Sequence, residues 1–193
     1  PEFVSLYTPG FSSTKMQCRN LLARYHTGDK SALDEGVALW TVGKSQPDTC
    51  DPLFKLLQDD KRLSDDVRWQ RFVLAMQNRN ASLARFVSRG MSAAMQKHTE
   101  LFLAVDGNPN LVTDHKRFTP PSLFNQHIIA HGIQKLARRE PQLAWQHWEK
   151  YEAEQLFEVK LAKDTKQTII KQLTNKGFLD EAQTLLSLSL IHI

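Results

Sequence analysis

A helical hairpin can be read directly in residues 69–87, WQRFVLAMQNRNASLARFV. Trp69, Phe72, Val73 and Met76 stand at positions i, i+3, i+4 and i+7, so their side chains share one face of an α-helix. The polar run that follows, Gln-Asn-Arg-Asn, interrupts the apolar pattern and is typical of a turn. The stretch therefore predicts two helices joined by a short polar connection.

The same apolar spacing of three and four recurs along the chain, whereas the alternating runs of β-branched residues that are typical of strands are nearly absent. The recurrences are Leu83, Phe86 and Val87; Ile129, Ile133 and Leu136; and Ile169, Ile170 and Leu173. The sequence therefore predicts an all-α fold.

Polar turns separate these helices near residues 28, 59, 79, 107, 139 and 176, at an irregular spacing of about 20 to 37 residues. A helical hairpin cannot bury its apolar side alone, so successive hairpins are expected to stack on one another. The irregular spacing departs from a regular tetratricopeptide array. The predicted fold is an irregular right-handed α-superhelix of stacked helical hairpins, a TPR-like solenoid.

Several helix ends carry recognisable signals. Gly28 and Gly177 are expected just beyond helix C-termini, where glycine accepts the left-handed backbone. Ser31 with Asp34 predicts a capping pair at the start of a helix. Thr119 before Pro120-Pro121, and Glu140 before Pro141, predict N-caps followed by proline in the first turn.

The composition describes an ordinary soluble globular chain of 193 residues, 41% apolar and 24% charged. The balance of 25 basic against 21 acidic residues gives a net charge of +4, and the charges are interspersed. The densest basic pairs are Lys116-Arg117 and Arg138-Arg139, which are too short to follow a phosphate backbone. We expect no nucleic-acid partner, and no apolar run is long enough to predict a transmembrane helix.

A short string that resembles nucleotide-binding chemistry is Gly43-Lys44-Ser45, the end of a phosphate-binding loop. Such a loop needs a glycine five residues before its Gly-Lys pair, and Ala38 stands there. The preceding residues, SALDEGVALW, predict a helix rather than the strand that the motif requires. We therefore do not predict nucleotide binding.

The same residues are explained as a connection between two helices. Gly43 is expected to end one helix, and Pro47 prevents its continuation. Asp51 is expected to cap the next helix, with Pro52 in the first turn. This interpretation accounts for the stretch without a ligand.

The longer segment ALWTVGKSQPDTCDPLF resembles part of the helical region of soluble lytic murein transglycosylases of the periplasmic Slt type. The resemblance extends upstream through KMQCRNLLARYHTG and downstream through WQRFVLAMQNRNASLARFV, and covers about residues 15–90. In that family a long U-shaped superhelix of α-hairpins precedes a linker segment and a C-terminal lysozyme-like domain. The family cleaves the β-1,4 bond between N-acetylmuramic acid and N-acetylglucosamine, using one glutamate as acid and then base, and leaves a 1,6-anhydro sugar.

Two cysteines are present, Cys18 and Cys50, and composition alone allows either a disulfide or two buried thiols. The resemblance implies a periplasmic location, where Cys18 and Cys50 are expected to pair. If they pair, the closed loop of about 33 residues contributes roughly 3.5 to 4 kcal/mol of stability.

The catalytic part of such an enzyme is not expected in this chain. The family's catalytic glutamate is followed by serine, and none of the nine glutamates here is. The accompanying Gly-Leu-Met-Gln and Ala-Tyr-Asn-Ala-Gly motifs do not occur either. We expect residues 1–193 to be a single fragment of the superhelical domain without a catalytic, cofactor-binding or metal-binding residue. The apolar tail, residues 187–193, raises the alternative that this end is not native sequence.

Other candidate sites have simpler interpretations. His127 and His131 have the i, i+4 spacing of two metal ligands, but a metalloprotease would carry glutamate at Ile128, so we predict a solvated or groove-lining pair. Trp148 and Tyr151 share a helix side with Ala144 and are expected to pack against a neighbouring hairpin rather than on a sugar. Trp145 is a further candidate for stacking on a sugar, and Glu149, Glu152 and Glu154 are expected to form a solvated face. Met91 and Met95 are expected to be core residues. Cys18 with His26 or His98 could suggest a thiol nucleophile, but no local motif supports it.

The leading functional hypothesis is a non-catalytic superhelical segment that helps to hold peptidoglycan near a separate active site of a periplasmic lytic transglycosylase. Peptidoglycan, through the full-length enzyme, and other cell-wall proteins are its expected partners, and no cofactor is expected. The alternative is a helical-repeat adaptor that binds protein partners, since solenoids often bind through their concave surface. A Glu-Ser lysozyme-like domain downstream in the gene would favour the enzyme.

Overall fold

The computed structural model describes residues 13–190, with side chains described to residue 187. Ten α-helices and three short 3-10 helices make up this part of the chain, which contains no strand. The α-helices are α1 (Thr14–His26), α2 (Ala32–Trp40), α3 (Asp51–Asp59), α4 (Asp65–Gln77), α5 (Ala81–Ser88), α6 (Ala93–Gly107), α7 (Leu123–Ala137), α8 (Pro141–Glu154), α9 (Val159–Asn175) and α10 (Leu179–Leu190). The 3-10 helices are Asp48–Cys50, Pro109–Thr113 and His115–Phe118. The all-α prediction is confirmed.

The chain divides into two compact units, Pro1–Gln96 and Lys97–Ile193. In the first unit α1 packs on α2, α2 packs on α3, and α4 packs on α5. In the second unit α7 packs on α8, and α9 packs on α7, α8 and α10. Consecutive helices thus pair as hairpins within each unit, as the periodicity predicts.

Four of the predicted turns share one backbone geometry. The residues that reverse the chain are Gly28, Lys61, Arg79 and Gly177, all with φ between 56° and 99°. In each turn the next residue donates its backbone N–H to the carbonyl five residues earlier, as from Asp29 to Arg24 and from Phe178 to Leu173. This bond pattern is the Schellman motif, which satisfies carbonyls left free at a helix C-terminus. Gly28 and Gly177 therefore have the predicted role.

Two predicted caps are wrong, and a third residue, Ser31, stands at the predicted N-cap position without forming a capping bond. The Ser31 hydroxyl does not cap α2 but donates to the carboxylate of Asp29 at 2.6 Å, which also accepts the Ser31 N–H. The cap of α7 is Ser122 rather than Thr119, and its hydroxyl accepts the N–H of Asn125 at 3.0 Å. Asp51 is the first residue of α3, because a 3-10 turn that ends at Cys50 leads directly into the helix. Glu140 and Pro141 begin α8 as predicted.

Each unit has its own apolar core. Fully buried side chains in the first unit include Leu33, Leu53, Leu57, Phe72 and Val87. Those in the second unit include Phe102, Ile128, Ile129, Ile133, Leu136, Trp148, Tyr151, Ile169 and Leu173. The predicted core residues Met91 and Met95 are also buried. Two members of predicted seams are not: the side chain of Phe86 is 60% exposed, and that of Ile170 is half-buried.

Candidate functional site

An open groove crosses the first unit between α3 on one side and the α4–α5 hairpin on the other. Its cavity volume is about 810 Å³, in the range of small-molecule sites in proteins. We call it the arginine groove and define it by Trp40, Phe54, Arg68, Arg71, Phe86 and Gly90. Trp40 ends α2, Phe54 lies on α3, Arg68 and Arg71 lie one turn apart on α4, and Phe86 lies on α5.

Trp40 lies against two guanidinium groups. The Cζ atom of Arg71 is 4.4 Å from the centre of the Trp40 ring, and that of Arg68 is 5.9 Å from it. Arg71 is also 6.0 Å from the ring centre of Phe54. Each distance is within the range of a cation–π interaction, which is worth about 2 kcal/mol when the pair is desolvated. Because Trp40 is 5% exposed, this cluster lies at the base of the groove rather than on its rim.

Arg71 is a buried cation without a counter-charge. Its side chain is 4% exposed, although arginine is almost never fully buried unless it is paired. Among residues 13–190 no carboxylate forms an ion pair with it, and its buried Nε atom has no hydrogen-bond acceptor. Burial lowers the pKa of Arg71 to about 10, with no opposing effect from a nearby acid. Arg71 therefore remains charged at neutral pH at a considerable desolvation cost.

Arg68 is held in place by the chain around it. Its Nε atom donates to the carbonyl of Leu63 at 3.0 Å. A Cβ atom at Gly90 would lie 2.3 Å from Nη1 of Arg68, so the guanidinium occupies space that only a glycine leaves open. Burial lowers the pKa of Arg68, and the carboxylate of Asp65 partly opposes this effect. The residue is thus a second, partly desolvated cation beside the same indole ring.

The rim of the groove is more mixed in charge. Arg89 lies over the exposed ring of Phe86, with 5.4 Å between its Cζ atom and the ring centre. Lys55, Asp51 and Asp59 are exposed along the α3 side. Four cations and two carboxylates therefore line the groove. The arrangement suits a ligand that carries an anionic group at the base and a cationic group at the rim.

The stretch that resembles a phosphate-binding loop contributes to the groove in another way. Helix α2 ends at Trp40, so Gly43 does not end it as predicted. A Cβ atom at Gly43 would lie 2.3 Å from the backbone oxygen of Leu74, so glycine is required there by the close approach of two backbones. Ser45 and Gln46 line the groove, whereas Lys44 is exposed.

The two cysteines are joined in the structure, with 1.98 Å between the sulfur atoms and 5.1 Å between the Cα atoms. Cys18 is on α1, and Cys50 is the last residue of the first 3-10 turn. The bond fixes α1 to the connection that leads into α3. Both side chains are buried, at 1% and 0% exposure.

The predicted histidine pair, His127 and His131, is half-buried on α7. Nε2 of His131 lies 2.8 Å from a carboxylate oxygen of Asp106, which also accepts from Lys135 at 2.6 Å. The ring of His131 packs on Phe102 with 4.7 Å between centres. The pair is only partly solvated because α7 is buried on most sides, and burial lowers the pKa values of His127 and His131. No group of three or more metal-ligating side chains occurs within residues 13–190.

The predicted packing of α8 is confirmed. Trp148 and Tyr151 are 0% and 1% exposed, so neither offers a ring face to a sugar. The hydroxyl of Tyr151 donates to the carbonyl of Val112 at 2.8 Å, and its ring stacks on His115 with 4.0 Å between centres. Trp145 is half-buried, and the predicted solvated face is interrupted because Glu152 pairs with Lys166 at 2.8 Å.

The residues of the arginine groove were missed by sequence reasoning. An available signal was Arg71, which directly precedes the apolar residues Phe72 and Val73 in the stretch that predicts the hairpin. A second signal was Arg68 one turn earlier, on the same side of the helix. Neither signal is specific, since arginine usually extends its charge from the edge of an apolar face into solvent.

No helix in the described part of the chain has the length and apolarity to cross a membrane.

Comparison with curated proteins identifies relatives named soluble lytic murein transglycosylase. The chain is 29% identical to the protein of Escherichia coli K12 over 133 residues and 28% identical to that of Salmonella typhimurium LT2 over the same length. Each alignment covers 68% of this chain and 21% of the relative, so the chain spans about a fifth of their length. No family model matches the chain.

Comparison with solved structures finds the same group. An inactive mutant of the lytic transglycosylase Slt from Pseudomonas aeruginosa matches 96% of this chain with a TM-score of 0.80 at 28% identity, over 30% of its own length. The 70 kDa soluble lytic transglycosylase Slt70 from E. coli matches 90% of this chain with a TM-score of 0.68 at 24% identity, over 28% of its length. The predicted resemblance to soluble lytic murein transglycosylases is confirmed, as is the predicted fold class, because the matching regions are helical superhelix domains.

Proposed function

We propose that this chain is a non-catalytic superhelical segment of a periplasmic lytic transglycosylase and that it provides scaffold and glycan positioning. The observation that carries the proposal is the match of 96% of the chain, at a TM-score of 0.80, to 30% of a lytic transglycosylase. In this proposal the whole enzyme cleaves the β-1,4 bond between N-acetylmuramic acid and N-acetylglucosamine with a 1,6-anhydro product, and this segment holds the peptidoglycan strand.

The absence of a catalytic residue from this chain is part of the proposal. Glycan cleavage needs an acid that can donate a proton to the leaving oxygen, usually a carboxyl group whose pKa is raised by burial. Two carboxyl groups of the chain, Asp29 and Asp106, have pKa values shifted in the opposite direction, because hydrogen bonds from neighbouring side chains stabilise their charged forms. The direction of these two shifts favours the proposed scaffold role over proton donation by either group.

The periplasmic location is supported by the disulfide between Cys18 and Cys50. Such bonds persist in oxidising compartments and are rare in the cytosol. The net charge of +4 also suits peptidoglycan, whose stem peptides carry carboxylates. The proposed partners are thus peptidoglycan, through the full-length enzyme, and other proteins of the cell wall.

The experiment combines two measurements on the purified chain. In the first, the chain is sedimented with purified sacculi, and we expect it to be enriched in the pellet at low salt. In the second, the supernatant is analysed for anhydro-muropeptides, and we expect none above a buffer control. Release of anhydro-muropeptides would contradict the non-catalytic role, and equal amounts of chain in pellets with and without sacculi would contradict glycan positioning.

A further inference from the structure

The strongest unexplained feature of the molecule is the unpaired guanidinium of Arg71. A buried charge is normally paired, because the free energy lost when it is removed from water exceeds the free energy gained from packing. The Trp40 and Phe54 rings offset part of this cost, but the buried Nε donor of Arg71 has no hydrogen-bond acceptor among residues 13–190. A group in this state is prepared to bind an anion from outside the chain.

The geometry at the base of the groove selects a planar anion. Arg71 and Arg68 approach the same Trp40 ring and line the same cavity. Guanidinium groups form two parallel hydrogen bonds with a carboxylate, whereas lysine acts as a point charge. Arg68 is already oriented by its bond to Leu63 and by the space at Gly90, so its position requires little further ordering.

The rest of the groove argues against a polyanion and favours a short peptide. The rim carries both signs of charge, since Asp51 and Asp59 stand beside Lys55 and Arg89, so a chain of phosphates would meet carboxylates there whereas an ammonium group can pair with one of them. The exposed ring of Phe86 offers an apolar surface of the kind that covers small side chains. A volume of about 810 Å³ is also much larger than a single phosphate needs.

We propose that the arginine groove binds the free carboxylate of a short zwitterionic peptide, with Arg71 and Arg68 as its anchors and one of the two rim carboxylates, Asp51 or Asp59, next to its amine. The inference rests on the proposed function in one respect, since it assigns to this site the peptide part of peptidoglycan rather than its sugars. The ligand's carboxylate supplies the counter-charge that residues 13–190 do not give Arg71.

The test compares two forms of one ligand on the full chain. Lysyl-alanyl-alanine with a free C-terminal carboxylate is titrated at low salt by calorimetry or by NMR, next to the same tripeptide with a C-terminal amide. We expect the acid to bind about tenfold more tightly than the amide, because the amide carries no negative charge and cannot form the charge-assisted bonds to Arg71 and Arg68. Equal affinities would overturn the proposal, as would binding of inorganic phosphate in place of the tripeptide.

Variants separate an anchoring role from mere packing. Arg71→Met keeps the bulk of the side chain and removes its charge, and we expect the preference for the acid to vanish while the melting temperature rises. Arg68→Lys, which retains charge but not the planar fork, is expected to lose about tenfold in affinity and serves if Arg71→Met does not fold. Arg85→Met, at an exposed residue of α5 that does not line the groove, is the matched control and should bind like the wild type. Unchanged affinity in both groove variants would contradict the proposal.

The outcomes for this inference and for the proposed function are distinct. If the chain sediments with sacculi but does not bind the tripeptide, the carboxylate site is wrong and glycan positioning stands. If the chain binds the tripeptide acid but not sacculi, the carboxylate site stands and glycan positioning is wrong.

Discussion

Gly43 shows how a single residue position can be fixed by the approach of two backbone segments. The nearest atoms to a Cβ built at this position are the Nδ2 atom of Asn78 and the backbone oxygen of Leu74, both at 2.3 Å. The amide of Asn78 can rotate away, but the carbonyl of Leu74 is fixed within α4. The connection after α2 and the C-terminal part of α4 therefore meet at a point where no side chain fits.

We expect Gly43→Ala to destabilise the chain by about 1 to 3 kcal/mol, because the backbone must separate to admit the methyl group. Urea denaturation followed by circular dichroism measures the change. The matched control is Gly107→Ala, since a Cβ atom at Gly107 has no neighbour within 4 Å and the residue ends α6. The control should lie within about 0.5 kcal/mol of the wild type. Equal effects of the two substitutions would show that the close approach is not limiting.

Residues differ in how well their roles could be predicted from the sequence. Burial of Ile129, Ile133 and Leu136 follows from their spacing alone, and all three are 0% exposed. Arg71 was not predictable, because burial of a cation depends on aromatic rings that come from α2 and α3. The role of Gly43 was unpredictable for the same reason: its neighbour Leu74 is distant in sequence.

At the scale of elements, helices were predicted better than their ends. Every predicted turn coincides with a helix end, because a polar run between periodic apolar segments is a local signal. The caps of α3 and α7 were wrong, since several nearby residues could have capped each helix and the chain geometry selects among them, whereas Ser31 is at the N-cap of α2 but without the predicted capping bond. The non-glycine residues Lys61 and Arg79 in the left-handed region also lacked a sequence signal.

The link between α1 and the 3-10 turn before α3 gives a prediction for the first unit. The disulfide joins residues 32 apart, so its loss should reduce the free energy of unfolding by roughly 3.5 to 4 kcal/mol. Urea denaturation with and without dithiothreitol measures the effect on the wild type. The double variant Cys18→Ala, Cys50→Ala should be about as stable as the reduced wild type, and its stability should not change when dithiothreitol is added. A wild type that does not respond would contradict the expectation.

The histidines on α7 give the second unit a pH dependence. Burial lowers the pKa values of His127 and His131 below the value near 6.5 that they have in the unfolded chain. The unfolded state therefore binds more protons as the pH falls from about 6.5 toward the lower folded-state values, and stability decreases in that window. Asp106, which accepts from His131, has a pKa below its ordinary value because the bonds from Lys135 and His131 outweigh the effect of burial, so it does not titrate there.

We expect the free energy of unfolding to be lower at pH 5.5 than at pH 7.5, with no further decrease once the pH is below the folded-state pKa values. Urea denaturation across this range measures the dependence. Substitution of His127 by glutamine should reduce the dependence of stability on pH, because it removes one group whose pKa is lowered by burial. The same substitution at the exposed residue His26 is the control and should leave the pH dependence unchanged. Stability that rises as the pH falls would contradict the assignment.

At the scale of the whole molecule, two compact units each contain a separate core. The all-α class and the stacked hairpins were predictable because each hairpin carries its own periodic pattern. The division into two units was not predictable, since no local sequence signal marks the boundary between them. It falls inside α6, which has no composition typical of a linker.

This division predicts a local response to reduction. When the disulfide is reduced, hydrogen exchange followed by mass spectrometry should show loss of protection in the helices within residues 13–96. Helices within residues 97–190 should keep their protection, because they belong to the other compact unit, which has its own core. The double cysteine-to-alanine variant, with and without reductant, is the control for direct effects of the reagent. Equal loss in both ranges would show that the chain unfolds as one cooperative body.

Gly90, described above as the residue that leaves space for the guanidinium of Arg68, carries a consequence for the evolution of the groove. A larger residue at this position would displace the arginine, so the two positions are expected to change together among relatives. Lineages with a side chain at position 90 should therefore have replaced the arginine at position 68 by a shorter residue. In such lineages the indole at position 40 would have a single cationic neighbour, and the proposed binding of a carboxylate should be weaker.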